Sequence, residues 1–349
     1  MDVQLGIIGF GGMGKHHAKS APKAGVQVAA AADILPERVE EAKGQGIAGY
    51  HSAEELLADE RVNTVILTVP NHLHKEMCIM AAKAGKHVIS EKPCGLNVAE
   101  VEEMEAACKE AGVCFTVHQN RRWDKDMLTV KYAYDHNLLG NIFTIESKLH
   151  SGNGYVHEWH LYKKYGGGMM YDWGVHLIDQ FLFMMPDAKI KSVYADIRNV
   201  LHEEVDDYFR IIMKMDNGIT CHVELGTYIL KYQPRWLAAG DKGTLVIQSL
   251  GKQDGAIYRT GKMLEKLPPQ IAESEAGPTR QFAPIPPGGI VEEALPEIQT
   301  DVLEFYRNFR EVINGRAEQK VKISEVKRVL AVMEAANKSS ETGQAILFE

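Results

Sequence analysis

The sequence predicts an α/β protein in two parts: a doubly wound parallel sheet over residues 1–122, then a mostly antiparallel sheet with helices over residues 123–349. Three observations predict it. Up to residue 122, short apolar runs alternate with helical segments of about ten residues, which implies βαβ crossovers. A glycine-rich turn stands where the first strand hands over to the first helix. Beyond residue 141 the apolar runs alternate, sit close together and include a hairpin signal, Asp216-Asn217-Gly218.

Val3 to Gly9 reads as a short buried strand, followed by a helix over 13–24. Val26 to Ala32 is a second strand, ending at Asp33. Pro36 to Lys43 is helical, and Ser52 caps a short helix from Ala53 to Ala58. Val62 to Val69 is a strand closed by Pro70; His74 to Ala84 is a helix stopped by Gly85. Val88 to Ser90 is a strand closed by Lys92-Pro93, Val98 to Ala111 a helix, and Val113 to His118 a strand. Right-handed crossovers put ligand sites at the carboxyl ends of such strands. In the second part, strands are expected at Ile142–His150, Ile190–Asn199, Tyr208–Met215, Gly218–Tyr228 and Gly243–Gln248. Helices are expected at 125–137, 169–185, 299–314 and 324–341. Residues 251–298, rich in proline and glycine, read as a long loop or arm.

Composition narrows the function classes. A chain of 349 residues with 45% hydrophobic and 25% charged residues has material for two cores, which excludes global disorder. Acids outnumber bases 47 to 39, for a formal charge of −8, so no global basic footprint for nucleic acid or anionic membrane exists. No run approaches the roughly 18 apolar residues of a membrane span. Met1-Asp2-Val3 leads straight into a strand, with no signal-peptide pattern. Cys78, Cys94, Cys108, Cys114 and Cys221 are odd in number and scattered, which suits neither a disulfide framework nor a zinc site. A reducing cytoplasm is the expected location.

Gly9-Phe10-Gly11-Gly12-Met13-Gly14 fits GxGxxG after a strand and before a helix. Gly9 permits the tight turn, Gly11 the approach of a pyrophosphate, and Gly14 close packing of helix on strand. The helix N-terminus offers free N–H groups and partial positive charge to phosphates. Asp33, about twenty residues on, is placed to accept from a ribose 2′-OH and repel a 2′-phosphate, which favours NAD. Arg38 softens that preference. Lys92, at the carboxyl end of a parallel strand, points into the crevice, where an ammonium can hold a developing oxyanion. Asp172 and His176 are four apart, so on an α-helix they share a face. A histidine oriented by a carboxylate is a good general base near neutral pH. The run Gly166-Gly167-Gly168 just before them permits close backbone approach to a ligand.

Together the glycine turn, the Asp33 strand end, Val69-Pro70-Asn71-His72-Leu73-His74, Glu91-Lys92-Pro93, His118-Gln119-Asn120-Arg121-Arg122 and Gly-Gly-Gly…Asp172-x-x-x-His176 resemble the Gfo/Idh/MocA family of nicotinamide-dependent sugar and inositol oxidoreductases. The resemblance implies an N-terminal Rossmann domain and a C-terminal α/β domain with a large open sheet. That sheet would form the interface of a homo-oligomer, whether dimer, tetramer or hexamer. Carried over residue by residue, it implies catalytic Lys92, Asp172 and His176. It puts Pro70, Asn71, His72, His74, Glu91 and Lys92 among the cofactor-binding residues, with Asn120 and Arg121 near nicotinamide and substrate. Arg121-Arg122-Trp123-Asp124 and Tyr171-Asp172-Trp173-Gly174-Val175-His176 look most like members acting on glycosides or anhydrosugars, including enzymes that oxidise a glucoside C3 hydroxyl.

The expected function is therefore NAD-dependent oxidation of a secondary hydroxyl of a sugar or glycoside. Inositol or anhydrosugar oxidation, redox-neutral glycoside cleavage and a non-catalytic NAD sensor are the alternatives. In the expected reaction His176 takes the hydroxyl proton, Lys92 stabilises the oxyanion, and Asp172 orients His176 and binds a neighbouring hydroxyl. Tyr155, His157 and Trp159 lie in a loop that mixes aromatic and hydrogen-bonding groups, as a sugar site does; with Lys92, Arg121, Trp123, Asp172 and His176 they make the expected substrate set. His157, His160, Asp172 and His176 lack a tight ligand motif, so no metal is expected.

Overall fold

A computed structural model of the chain describes residues 2–262, 271–280, 285 and 287–348. The first sheet is built from β1 (Gln4–Ile8), β2 (Gln27–Ala32), β3 (Ala48–Tyr50), β4 (Thr64–Leu67), β5 (His87–Ser90) and β6 (Phe115–Val117); all but the three-residue β3 are expected from the sequence. They pair in parallel in the order β3-β2-β1-β4-β5-β6, the doubly wound dinucleotide order, and the strand order reverses beside β1. Leu5, Ile7, Val65, Ile66 and Val88 are fully buried, as a sheet covered on both faces requires. The covering helices are α1 (Gly12–Ser20), α2 (Pro36–Gly44), α3 (Ala53–Leu57), α4 (His74–Lys83) and α5 (Val98–Glu110). Ser52 caps α3 by accepting from the Glu55 N–H at 3.1 Å, and Asn97 caps α5 from Glu100 at 2.9 Å. The helix expected over 13–24 ends at Ser20, and Ala21–Ala24, with Pro22, continues as a 3₁₀ turn.

The second sheet has nine strands, in the order β16-β13-β12-β11-β7-β10-β9-β8-β17. In chain order these are β7 (Ile142–His150), β8 (Ile190–Arg198), β9 (Tyr208–Met215), β10 (Thr220–Gly226), β11 (Trp236–Gly240), β12 (Gly243–Ile247), β13 (Gly255–Thr260), β16 (Ile290–Ala294) and β17 (Ile346–Leu347). β7 and β10 run parallel and the other pairings are antiparallel. The remaining strands, β14 (Ile271–Ser274) and β15 (Gly277–Arg280), form a separate hairpin. The described residues of 251–298 thus include paired strands in place of the expected long loop or arm. β13 extends the sheet edge on β12 and buries Ile257, and β16 pairs with β13 across a long connection that leaves no local period to read. Positions 263–270, 281–284 and 286 of that segment lie outside the described residues.

Among the described residues, α6 (Lys125–Asp135), α7 (Val175–Met184), α8 (Glu304–Ile313) and α9 (Ile323–Thr342) hold the halves together. α7 is apolar and almost wholly buried, and α9 packs across it and β8. The C-terminal segment also returns to the first sheet, where Thr116 Oγ1 donates to the Val321 carbonyl at 3.1 Å. Buried Arg122 donates to both Asp179 carboxylate oxygens, at 2.6 and 2.8 Å, and to Glu325 at 2.7 Å. Losing one partner of such a buried pair strands a charge, so this clamp fixes the turn after β6 against α7 and α9.

Candidate active site

The turn after β1 is shaped by what its glycines exclude. Gly9 has φ +94°, and a Cβ there would come within 2.7 Å of the Thr68 carbonyl. A Cβ on Gly14 would lie 2.2 Å from the Gly9 carbonyl, so helix and strand touch through bare backbone. Gly11 caps α1 with no side-chain bond, the first turn holds no acid, and the space beside Gly12 is open. Free N–H groups and partial positive charge therefore face a void, which fits a pyrophosphate. A cavity of about 430 Å³ opens there, lined by Gly11, Gly12, Met13, Arg38, Thr68, Pro70, Asn71, Glu91 and Lys92 from the first half. His157, Trp159, His160 and Asp172 close it from the second. Phe10 is buried, and its N–H donates to Asp33 Oδ2 at 2.7 Å. Asp33 Oδ1 accepts from Leu35 N–H at 2.9 Å, and Arg38 Nη1 lies 3.2 Å from Oδ2.

Lys92 crosses between the halves. It leaves β5 at a cis Lys92–Pro93 peptide, with the His74 ring between the Pro93 and Val69 carbonyls at 2.7 and 2.9 Å. Its Nζ donates to Asp172 Oδ1 at 2.6 Å and to the Asp172 carbonyl at 2.7 Å. His160 Nε2 is 3.8 Å from the same carboxylate. Burial pushes the Asp172 carboxyl up, but Lys92 and His160 outweigh it and hold the pKa below the ordinary value.

Asp172 sits in a π-helical turn, Met170–Gly174, that runs into α7. The expected Asp172–His176 bond is not formed. The wider π turn breaks the α-helical register that would align residues four apart, and Asp172 faces Lys92 instead. His176 Nδ1 pairs with Gln119 Oε1 at 3.2 Å. Burial, then the cations of Lys92 and Arg121, push His176 well below its ordinary pKa, so the ring is neutral. The glycine run before this turn admits the protein's own groups. A Cβ on Gly167 would lie 2.2 Å from the His160 carbonyl, and one on Gly168 would lie 2.2 Å from Asp206 Oδ1. Asp206 Oδ2 also accepts from Met170 N–H at 2.7 Å, and burial pushes that carboxyl up to about 7.

Behind Lys92, Glu91 Oε1 accepts from His17 Nε2 and His118 Nδ1, each at 2.8 Å, while Oε2 accepts from Lys92 N–H at 3.1 Å. Tyr306 OH closes the cluster 2.6 Å from His17 Nδ1. Among the described residues, His17, Glu91 and His118 are the one trio of such groups with ligand atoms within 4.8 Å of one another. His157, His160, Asp172 and His176 do not gather that closely.

A second cavity, of about 260 Å³, adjoins the first at His157 and Asp172 and is lined by Leu149, Ser151, Tyr155, Trp173 and Thr227 among others. His150 and Thr227 also line it, and His150 Nε2 and Thr227 Oγ1 are buried without partners. Several residues expected to meet a ligand line neither cavity. His72 is exposed and packs on Tyr165 at 5.2 Å. Arg121 lies 4.2 Å over the Trp173 ring and bonds Asp124 at 3.0 Å; neither it nor Asn120 lines the larger cavity. Trp123 packs edge-on against Phe305 at 6.3 Å and lines neither cavity, because the returning α8 covers it.

Residues 3–119 match the family model described as oxidoreductase family, NAD-binding Rossmann fold, and residues 127–246 match the GFO/IDH/MocA C-terminal domain. This chain belongs to the Gfo/Idh/MocA family. It is 31% identical over 329 residues to scyllo-inositol 2-dehydrogenase (NADP(+)) IolW of Bacillus subtilis, covering 90% of this chain and 88% of that protein. It is 29% identical over 208 residues to myo-inositol 2-dehydrogenase of Thermotoga maritima, 58% of this chain and 60% of that one. An NAD-binding protein from Listeria innocua superposes with a TM-score of 0.92 at 37% identity, over 99% of each chain. The WlbA dehydrogenase of Bordetella pertussis, solved with NADH and UDP-GlcNAcA, shares the fold at a TM-score of 0.79 and 20% identity, over 100% of this chain and 99% of that one.

As a Gfo/Idh/MocA protein it is an NAD(P)-dependent oxidoreductase; of its family motifs, the glycine turn, Pro70-Asn71, Glu91-Lys92 and Asp172 line the larger cavity, while His176 lines neither cavity. Sequence reasoning missed Gln119, quoted only inside a motif, and the His17–Glu91–His118–Tyr306 cluster. Nothing local marks His17 for Tyr306, which lies 289 positions away in the chain.

Proposed function

We propose that the protein oxidises a secondary hydroxyl of a sugar or glycoside, at C3, to the keto sugar, with a nicotinamide dinucleotide as acceptor. The observation that carries this reading is the 2.6 Å bond from Lys92 to Asp172 where the two cavities adjoin. It sets an ammonium beside a carboxylate; the neutral His176 imidazole lines neither cavity but is near enough for the Lys92 charge to lower its pKa. When bound, the nicotinamide supplies the hydride acceptor. His176 takes the hydroxyl proton; Gln119 occupies Nδ1, which leaves Nε2 for the substrate. Lys92 donates to the same oxygen and stabilises the charge that builds there. Asp172 holds Lys92 in place and accepts from a neighbouring hydroxyl. The remainder of the substrate occupies the second cavity, against Tyr155, His157 and Trp173. A cyclitol is the second reading, favoured by the two relatives named as inositol 2-dehydrogenases.

The test is single-turnover reduction of bound cofactor at 340 nm over glucosides, anhydrosugars and inositols, with product mass. Lys92→Ala and His176→Ala should each slow reduction by about 10²–10⁴. Normal reduction in either variant overturns the assignment. Products without net NADH indicate redox-neutral cleavage, and neither products nor NADH indicates a sensor.

A homo-oligomer formed through the second sheet belongs to the same proposal, supported by exposed Phe143 and Tyr194 on its strands. So does a cytoplasmic setting, supported by five cysteines that are all free thiols. Among the described residues no helix is long and apolar enough to cross a membrane.

A further inference from the structure

The residues around Asp33 point to a cofactor preference different from the one its position suggests. An acid at the end of β2 discriminates against a 2′-phosphate when its charge faces the ribose unopposed. Here that charge is largely spent. Both carboxylate oxygens accept peptide N–H groups, from Phe10 at 2.7 Å and Leu35 at 2.9 Å. The residue is 7% exposed, and the Arg38 guanidinium stands 3.2 Å from Oδ2.

Arg38 itself is open. Its side chain is 41% exposed, it lines the cofactor cavity, and its Nη1 lies 3.5 Å from where a Gly11 Cβ would be. Of the five donors on a guanidinium, the side chain gives one hydrogen bond among the described residues, to Asp33. The loop between β2 and α2 adds no further acid: Ile34 and Leu35 are exposed apolar residues. A planar fork with free donors beside a damped carboxylate is the donor set that a phosphate dianion takes in bidentate fashion.

We propose that Arg38 is the seat of a ribose 2′-phosphate, so that the protein binds NADP(H) as well as NAD(H), with Asp33 acting chiefly as the brace of the glycine turn. This rests on the dinucleotide occupying the larger cavity, and it deepens the functional reading without depending on the sugar.

The test uses purified full-length protein, with no sugar present. NADH and NADPH are titrated by nucleotide fluorescence, with calorimetry of the oxidised forms, at low and at high salt. The two reduced nucleotides should bind within about tenfold of each other, and NADPH should weaken more steeply with salt. Arg38→Gln should move the NADPH-to-NADH affinity ratio toward NADH by roughly ten- to a hundredfold, the worth of charge-assisted hydrogen bonds. Arg38→Lys, with charge but no fork, should fall between. NADPH binding more than a hundredfold weaker than NADH in the unmodified protein overturns the proposal, as does an Arg38→Gln ratio that stays put. Binding of neither nucleotide overturns the cofactor assignment along with it. Failure of every sugar to reduce bound cofactor, with both nucleotides bound, sinks the proposed reaction and leaves this inference standing.

Discussion

Two carboxylates flank Lys92, and they are built in opposite ways. Glu91 is sealed: two imidazoles and a peptide N–H fill its oxygens, and Tyr306 from α8 closes the far side. Asp172 is open: it holds one ammonium and borders both cavities. Glu91 ties α1, β5, β6 and α8 at a single point, and three hydrogen bonds occupy most of its acceptor capacity. Asp172 has capacity to spare, in the place where a ligand must arrive. One acid stabilises the frame that aims the lysine, and the other meets what the lysine meets.

The largest effect that sharpens this contrast is on stability. Glu91→Ala leaves two buried imidazoles without their shared acceptor. Leaving a buried donor without its acceptor typically costs about 1–3 kcal/mol for each group. Asp172→Asn keeps the shape, and Lys92 keeps the Asp172 main-chain carbonyl as acceptor at 2.7 Å. Thermal and denaturant midpoints measured side by side should fall far for Glu91→Ala and little for Asp172→Asn, while hydride transfer falls in Asp172→Asn. Equal losses of stability would erase the distinction between the two acids.

Next comes pH. Burial outweighs the bond to Glu91 and lowers His17 to about 4, from an ordinary 6.5. A group depressed in the folded state contributes stability that is present above its unfolded pKa and lost as pH falls toward the folded one. His17 alone should therefore cost the native protein on the order of 3 kcal/mol of stability between pH 6.5 and 4, beside the shares of other depressed histidines such as His74 and His176. His17→Gln should make the loss across that window shallower by His17's share. Asp172 is also depressed, but from a carboxylate value, so its contribution is lost only at lower pH and Asp172→Asn should keep the native slope down to pH 4. A His17→Gln curve parallel to the native one would mean that the sealed cluster titrates elsewhere.

The sealed acid was far less legible than the open one. Lys92 and the glycine turn are local motifs whose chemistry depends on neighbours in sequence, so spacing and context sufficed. The parallel strands announced themselves the same way, except β3, whose three residues Ala48-Gly49-Tyr50 carry no apolar run. Asp172 and His176 were visible as residues, but their partners were not, because a π turn replaces the α register on which a four-residue spacing depends. His17, His118 and Tyr306 meet only after the chain has closed on itself. β13 and β16 gain their regularity from pairing with each other, not from any period in the segment between them. What folds locally can be read along the chain; what is assembled by contact between halves cannot.

Asp33 stands between the two extremes, which makes it the finest test of the contrast. Like Glu91 it braces backbone, through Phe10 and Leu35; like Asp172 it has a cation at hand and a cavity beside it. Asp33→Asn retains one oxygen acceptor and loses the charge. One of the two peptide N–H groups then loses its partner, at a cost of about 1 kcal/mol. The ribose 2′-OH also loses a charged acceptor, so NADH should bind roughly three- to tenfold more weakly. For NADPH the same change removes a repulsion and frees Arg38 from its ion pair, offsetting the loss in the turn. The affinity ratio should therefore move toward NADPH in the same fluorescence titration that tests Arg38, and in the opposite direction to Arg38→Gln. A ratio that moves toward NADH in both variants would show that the pair acts on the turn alone and does not reach the ribose.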